Sequence, residues 1–152
     1  MEAFPHQYEV SARGLPDGEV ELRSARLPIL STASPAEFGG PGNRWSPETL
    51  LVGSVADCYV LTFRAVAAAS GVAWTSLECE VRGTLDRVER SPQFTAIVIH
   101  AHLIVPEGVN EGLARRALEK AERACLITSS LKASVQLEAT VDSIAESAAR
   151  SR

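Results

Sequence analysis

Polar and apolar positions alternate with a period of two from His6 to Arg13 and again from Glu19 to Arg26. Leu15-Pro16-Asp17-Gly18 between them has the proline and glycine of a turn, so the pattern predicts a hairpin. The next segment, Ser31 to Trp45, contains Pro35, Gly39-Gly40-Pro41-Gly42 and Asn43 and reads as a loop. Leu50 to Ala69 is the longest apolar stretch. Ser46 before it suits an N-cap, Pro47 the first helical position and Glu48 the first turn, while Gly71 supplies a stop. A second strand pair is expected over Trp74 to Leu85 and Phe94 to Val105, around a polar connection from Asp86 to Pro92. Asn110 can cap a second helix running to about Cys125. Its inner stripe would be Leu113, Ala117, Leu118, Ala121, Ala124 and Cys125, with Glu119, Lys120, Glu122 and Arg123 solvated. Ala133 to Val141 completes the pattern as a strand with Val135, Leu137, Ala139 and Val141 on one side, and residues 143–152 form a frayed tail. The predicted order is strand, strand, helix, strand, strand, helix, strand, which is an α+β domain spanning residues 1–152.

The apolar stretch has the length of a membrane span, but Asp57 and Arg64 near its middle each cost about 2.5 to 3.5 kcal/mol on insertion scales. It therefore reads as a buried helix of a water-soluble protein. A helix apolar almost all round must be covered on most sides, and one 152-residue subunit has little material for that, so a homodimer is the expected solution. The net charge of -4, with no basic run, argues against a nucleic-acid binder, which needs a basic face to displace counterions from phosphate. Met1-Glu2-Ala3-Phe4-Pro5-His6 has neither the positive start nor the apolar core of a secretory signal, so a cytoplasmic location is expected. In that reducing setting the three cysteines do not read as a structural disulfide framework.

Cys58 and Cys125 each fall on the apolar side of a predicted helix, 67 residues apart. Two readings stand side by side: small buried hydrophobes, or a thiol pair brought together by folding or assembly. Cys79 alternates with Leu77 and Val81 on a strand and reads as core. His100 and His102 share a strand face, yet no Cys-x-x-Cys or His-Glu-x-x-His motif accompanies them, so no metal is expected. The glycines at 39, 40 and 42 lack the Gly-Lys-Ser/Thr ending of a phosphate loop and read as a shaped turn. Phe38 and Trp45 are candidates to line an apolar pocket or to pack the loop.

Three further motifs combine with this order of elements. They are Glu37-Phe38-Gly39-Gly40-Pro41-Gly42, then Pro47-Glu48-Thr49-Leu50-Leu51 with Glu48 ten residues before Cys58, then Cys125 followed by Ser130-Leu131-Lys132-Ala133 and a final strand. Together they resemble the family of osmotically inducible protein C and organic hydroperoxide resistance proteins (OsmC/Ohr), over nearly the whole chain. The resemblance implies an intertwined homodimer with buried central helices, active sites at the subunit interface and cofactor-free reduction of organic hydroperoxides, restored by a dithiol reductant. It also implies that Cys58 is the peroxidatic thiol, Cys125 the resolving thiol, and Glu48 the carboxylate that helps hold a catalytic arginine. Phe38 or Pro16 stands where the family patterns place that arginine, which leaves Arg44 and Arg13 as candidate cations, and Leu126 stands where a proline is usual. The alternative is a non-enzymatic member of the same fold that binds a small ligand or senses redox state.

An ordinary thiol, with a pKa near 8.5, is only about 3% ionised at pH 7, so the implied chemistry requires a cation, a helix end or hydrogen-bond donors beside Cys58. A nearby carboxylate and desolvation both act in the opposite direction, although helical spacing of about 100° per residue can turn Asp57 away from Cys58. If Glu48 and Cys58 lie on one continuous helix, ten residues place them roughly 15 Å apart along its axis. Glu48 is then expected to serve the Cys58 of the other subunit.

Overall fold

A computed structural model of the chain describes residues 1–145. The structure is mixed α+β, with two three-stranded sheets and two α-helices, in the order β1 (Ser11–Arg13), β2 (Val20–Arg23), β3 (Leu30–Thr32), α1 (Pro47–Ser70), β4 (Ser76–Val88), β5 (Ser91–Pro106), α2 (Glu111–Ala124) and β6 (Ser134–Ile144). The chain divides into two compact units, Met1–Leu51 and a second that begins at Val52.

In the first unit, β1, β2 and β3 form an antiparallel meander in which Ala12 faces Leu22 and Leu22 faces Leu30. The expected hairpin is present, but its strands are shorter than the alternation predicted, and β1 is exposed throughout. A third strand, β3, takes the start of the segment expected to be loop. Three residues are too few to carry a periodic signal, and pairing with β2 decides their conformation. A 3-10 turn over Ala36–Phe38 ends at Gly39 in the left-handed region (φ 79°). At Gly40 a Cβ would lie 1.6 Å from the Ser34 carbonyl oxygen, so only glycine fits this turn. Ser46 caps α1 as expected: its hydroxyl accepts from the Thr49 amide at 3.1 Å, and its own amide donates to the Thr49 hydroxyl at 2.8 Å.

In the second unit, β5 is the central strand, antiparallel to β4 and parallel to β6. A parallel neighbour requires a crossover, and α2 supplies it between β5 and β6. Ile97, Ile99, Ala101, Leu103 and Val105 alternate onto the buried face of β5. They join one core with the α1 stripe Val55, Tyr59, Phe63, Val66 and Ala67 and the α2 stripe Ala114, Ala117, Leu118 and Ala121. Fully burying each large apolar side chain here contributes about 1.5–3 kcal/mol. The Tyr59 hydroxyl donates to the Leu118 carbonyl at 3.2 Å, tying α1 to α2, and Phe63 meets Trp74 edge-on at 5.4 Å. Gly83 is required by close approach, since a Cβ there would lie 2.8 Å from both Phe94 and Val52 side-chain atoms.

Several expectations are corrected in detail. The polar connection from Asp86 to Pro92 is largely strand: β4 and β5 pair out to Val88 and Ser91, and the reversal is made by Glu89 (φ 49°) and Arg90 (φ 73°). On α2, Ala124 is exposed and Ala114 is buried, because the inner stripe rotates with the 3.6-residue period and the helix ends at Ala124. The last strand continues through Ile144, and the expected tail beyond residue 145 lies outside the described residues. Helix α1 ends where Gly71 (φ 66°) allows the Val72 amide to reach the Ala67 carbonyl at 3.0 Å, a Schellman-type stop.

Candidate active site

The second unit brings Cys58 and Cys125 together. Cys58 lies on α1, one residue before the core tyrosine Tyr59 and half-buried, while Asp57 beside it in sequence is exposed to solvent. Cys125 is fully buried at the C-cap of α2, where the chain leaves the helix in an extended conformation (φ -66°, ψ 111°). Both thiols are free, and the Cys125 thiol is among the groups that lower the Cys58 pKa. Thr62, one helical turn after Cys58 and so on the same face of α1, places its hydroxyl 3.8 Å from the Cys58 sulfur.

Opposing forces act on the two thiols. Burial is the largest influence on Cys58 and disfavours its charged form. The Ile127 amide, the Cys125 thiol, the Thr62 hydroxyl and the Leu126 amide together outweigh burial and lower its pKa below the ordinary thiol value. Burial also dominates at Cys125 and raises its pKa; the neighbouring Cys58 adds to the rise, against donation from the Thr128 amide. Of the two thiols, Cys58 is therefore the one that ionises first, while Cys125 keeps its proton to higher pH. Cys79, on the inner face of β4, is pushed by burial up to about 11, with the nearby Cys125 adding to the shift. Its thiol stays neutral and part of the core margin, as the alternation with Leu77 and Val81 predicts.

The remaining candidates belong to the first unit, apart from the histidines. Glu48 has one carboxylate oxygen, Oε2, buried with no hydrogen-bond partner. Arg44 donates to Glu19 at 2.7 Å in an exposed ion pair. Arg13, at the end of β1, pairs in register with Glu21, whose carboxyl is lowered mainly by Arg23 with a smaller share from Arg13. Phe38 and Trp45 are both exposed. On the outer face of the β4-β5-β6 sheet, His100 meets Glu138 at 3.0 Å and His102 meets Asp142 at 2.7 Å. Among the described residues no group of three or more His, Cys, Asp or Glu side chains is arranged to hold a metal ion.

Three contributors at the thiols carry little or no sequence signal. Thr62 was legible in principle, since a hydroxyl four residues after a helical cysteine shares its face. The amides of Leu126 and Ile127 carry no side-chain signature at all.

Two helices packed on the inner face of a mixed three-stranded sheet, with one thiol on the first helix and another at the end of the second, define a class of two-cysteine α+β proteins. Solved structures share this fold: an OsmC-like protein of unknown function from Vibrio cholerae superposes with a TM-score of 0.81 at 13% identity, covering 90% of this chain and 100% of that one. An organic hydroperoxide resistance protein OsmC from Legionella pneumophila gives 0.71 at 24% identity, covering 92% and 99%. In sequence, the uncharacterized protein YmaD of Bacillus subtilis is 29% identical over 118 residues, 74% of this chain and 79% of that protein. The profile of the family described as OsmC-like protein matches residues 40–140, and the chain belongs to that family.

Proposed function

We propose that this protein is a cysteine-based, thiol-dependent reductase of organic hydroperoxides that acts as a homodimer in the reducing cytoplasm. One feature carries the reading: a half-buried thiol whose pKa is lowered interacts with a second, fully buried thiol whose pKa is raised. The Cys58 thiolate attacks the distal oxygen of the hydroperoxide, forming an S–O bond and breaking the O–O bond. The alkoxide leaves, takes a proton and departs as alcohol, and Cys58 becomes a sulfenic acid. Cys125 then attacks the Cys58 sulfur; its proton and the sulfenic hydroxyl leave as water, and a disulfide forms. Two electrons from an external dithiol return both cysteines to thiols.

The homodimer is supported by α1, which is long and apolar enough to cross a membrane, yet only 28% of its most apolar window is buried within the chain. Leu61 stays 49% exposed there, and a second copy would cover it. Apolar surroundings for Cys58 favour organic over small polar hydroperoxides. Glu48, with an unpartnered buried oxygen, suits a guanidinium, and Arg13 and Arg44 are the candidate cations in this reading. The test is consumption of cumene hydroperoxide with a dithiol, with alcohol measured as product. Wild type should turn over and Cys58→Ser should not, whereas equal rates in the two, or ligand binding without consumption, would overturn the proposal.

A further inference from the structure

The segment after α2 is braced by hydrogen bonds within itself. The Cys125 carbonyl accepts from three donors, the Ser129 amide at 3.1 Å, the Thr128 hydroxyl at 3.0 Å and the Ser129 hydroxyl at 2.9 Å. The Leu126 carbonyl accepts from the Ser130 hydroxyl at 2.9 Å, and the Ile127 carbonyl from the Ser130 amide at 3.0 Å. Three consecutive hydroxyl residues thus turn back onto the carbonyls just before them. A peptide plane is rigid, so fixing a carbonyl fixes the amide on the opposite side of the same plane. The Cys125 carbonyl shares its plane with the Leu126 amide, and the Leu126 carbonyl shares its plane with the Ile127 amide. Those are the two amides that donate to Cys58.

We infer that the Leu126 and Ile127 amides form a fixed pair of donors to the Cys58 sulfur, and that Thr128, Ser129 and Ser130 are positioning residues that aim them. The inference rests on the reading of Cys58 as the reactive thiol. The donors to Cys58 are two backbone amides, the Thr62 hydroxyl and the Cys125 thiol, and Cys125 is the one titratable group among them. Fixed amide dipoles stabilise an anion without a counter-ion and cost no reorganisation when charge develops, as in an oxyanion hole. The 67% exposed Leu126 side chain contributes little to packing, so its backbone role can be isolated by substitution.

The experiment measures the pH dependence of Cys58 alkylation by iodoacetamide, mapped by peptide mass. Leu126→Pro deletes the amide hydrogen, and the extended conformation of Cys125 before it (ψ 111°) accommodates a following proline. Leu126→Ala keeps the hydrogen. The proline variant should raise the midpoint by about one pH unit, slowing alkylation about tenfold below it, while the alanine variant matches wild type. Thr128→Val with Ser129→Ala should move the midpoint in the same direction with helix content retained by circular dichroism. That pair decides the matter if the proline variant does not fold. An unchanged midpoint in the proline variant, or in the Thr128/Ser129 pair where it must stand in, overturns the inference. Because alkylation needs no hydroperoxide, a midpoint that responds to Leu126→Pro in a protein without peroxidase turnover would sink the proposed function and leave the inference standing.

Discussion

Replacing Cys125 with alanine removes one of the four donors to Cys58 while leaving the Ile127 and Leu126 amides and the Thr62 hydroxyl in place. A hydrogen bond to a charged group contributes about 1.5–3 kcal/mol, and a thiol is a weak donor, so the lower end applies. About 1.4 kcal/mol corresponds to one pH unit. The Cys58 pKa should therefore rise by about one unit in Cys125→Ala. Where pH lies below both values, the thiolate fraction and the alkylation rate fall about tenfold. Cys125→Ser is the informative companion, because a serine hydroxyl still donates and the midpoint should stay near wild type even though no disulfide can form. The assay is the rate of iodoacetamide modification of Cys58 between pH 5 and pH 9.5, with Cys79 followed separately by mass. Identical midpoints for the alanine variant, the serine variant and wild type would refute donation from Cys125.

Other consequences follow from the same geometry. Cys79 has a folded pKa of about 11 against a reference of 9.0, so between those values the unfolded chain has already lost its proton while the folded chain has not. Stability should fall as pH rises through that window, and Cys79→Ala should flatten the decline in urea midpoints between pH 8 and pH 10.5; parallel declines would contradict it. Gly83→Ala forces a Cβ against Phe94 and Val52 and should cost about 1–3 kcal/mol in chemical denaturation, whereas a neutral effect would show that α1 does not press on β4 there. Co-refolding Cys58→Ser with Glu48→Ala should restore hydroperoxide reduction if the two residues act across a dimer. No recovery, with heterodimers shown to be present, would count against a shared site.

Much of the fold is written in local signals. Asn110 caps α2 through the Leu113 amide at 2.9 Å, and Ser46 and Gly71 bound α1, because caps and stops depend on residues within a few positions of each other. The β4-β5 hairpin runs past the periodic segments because its tip is polar and exposed, and pairing along the whole length, not periodicity, makes it strand. Strand β3 was hidden for a related reason: it exists through its register with β2. At the site, the two cysteine positions were legible as candidates, and the OsmC/Ohr resemblance paired them. Their partners were not. Two of the four groups that lower Cys58 are backbone amides, and Arg44, a plausible cation by proximity in sequence to Glu48, is occupied by Glu19 across 25 residues.

The most direct test of the account couples product to the thiols. Reduced protein is mixed with a limiting amount of cumene hydroperoxide and no reductant, and alcohol is quantified alongside peptide mapping of disulfides. The account predicts one Cys58–Cys125 disulfide for each alcohol formed, none in Cys58→Ser, and a Cys58 sulfenic acid in Cys125→Ala. Peroxide left unconsumed, or oxidation found on Cys79 with Cys58 and Cys125 still reduced, would contradict it.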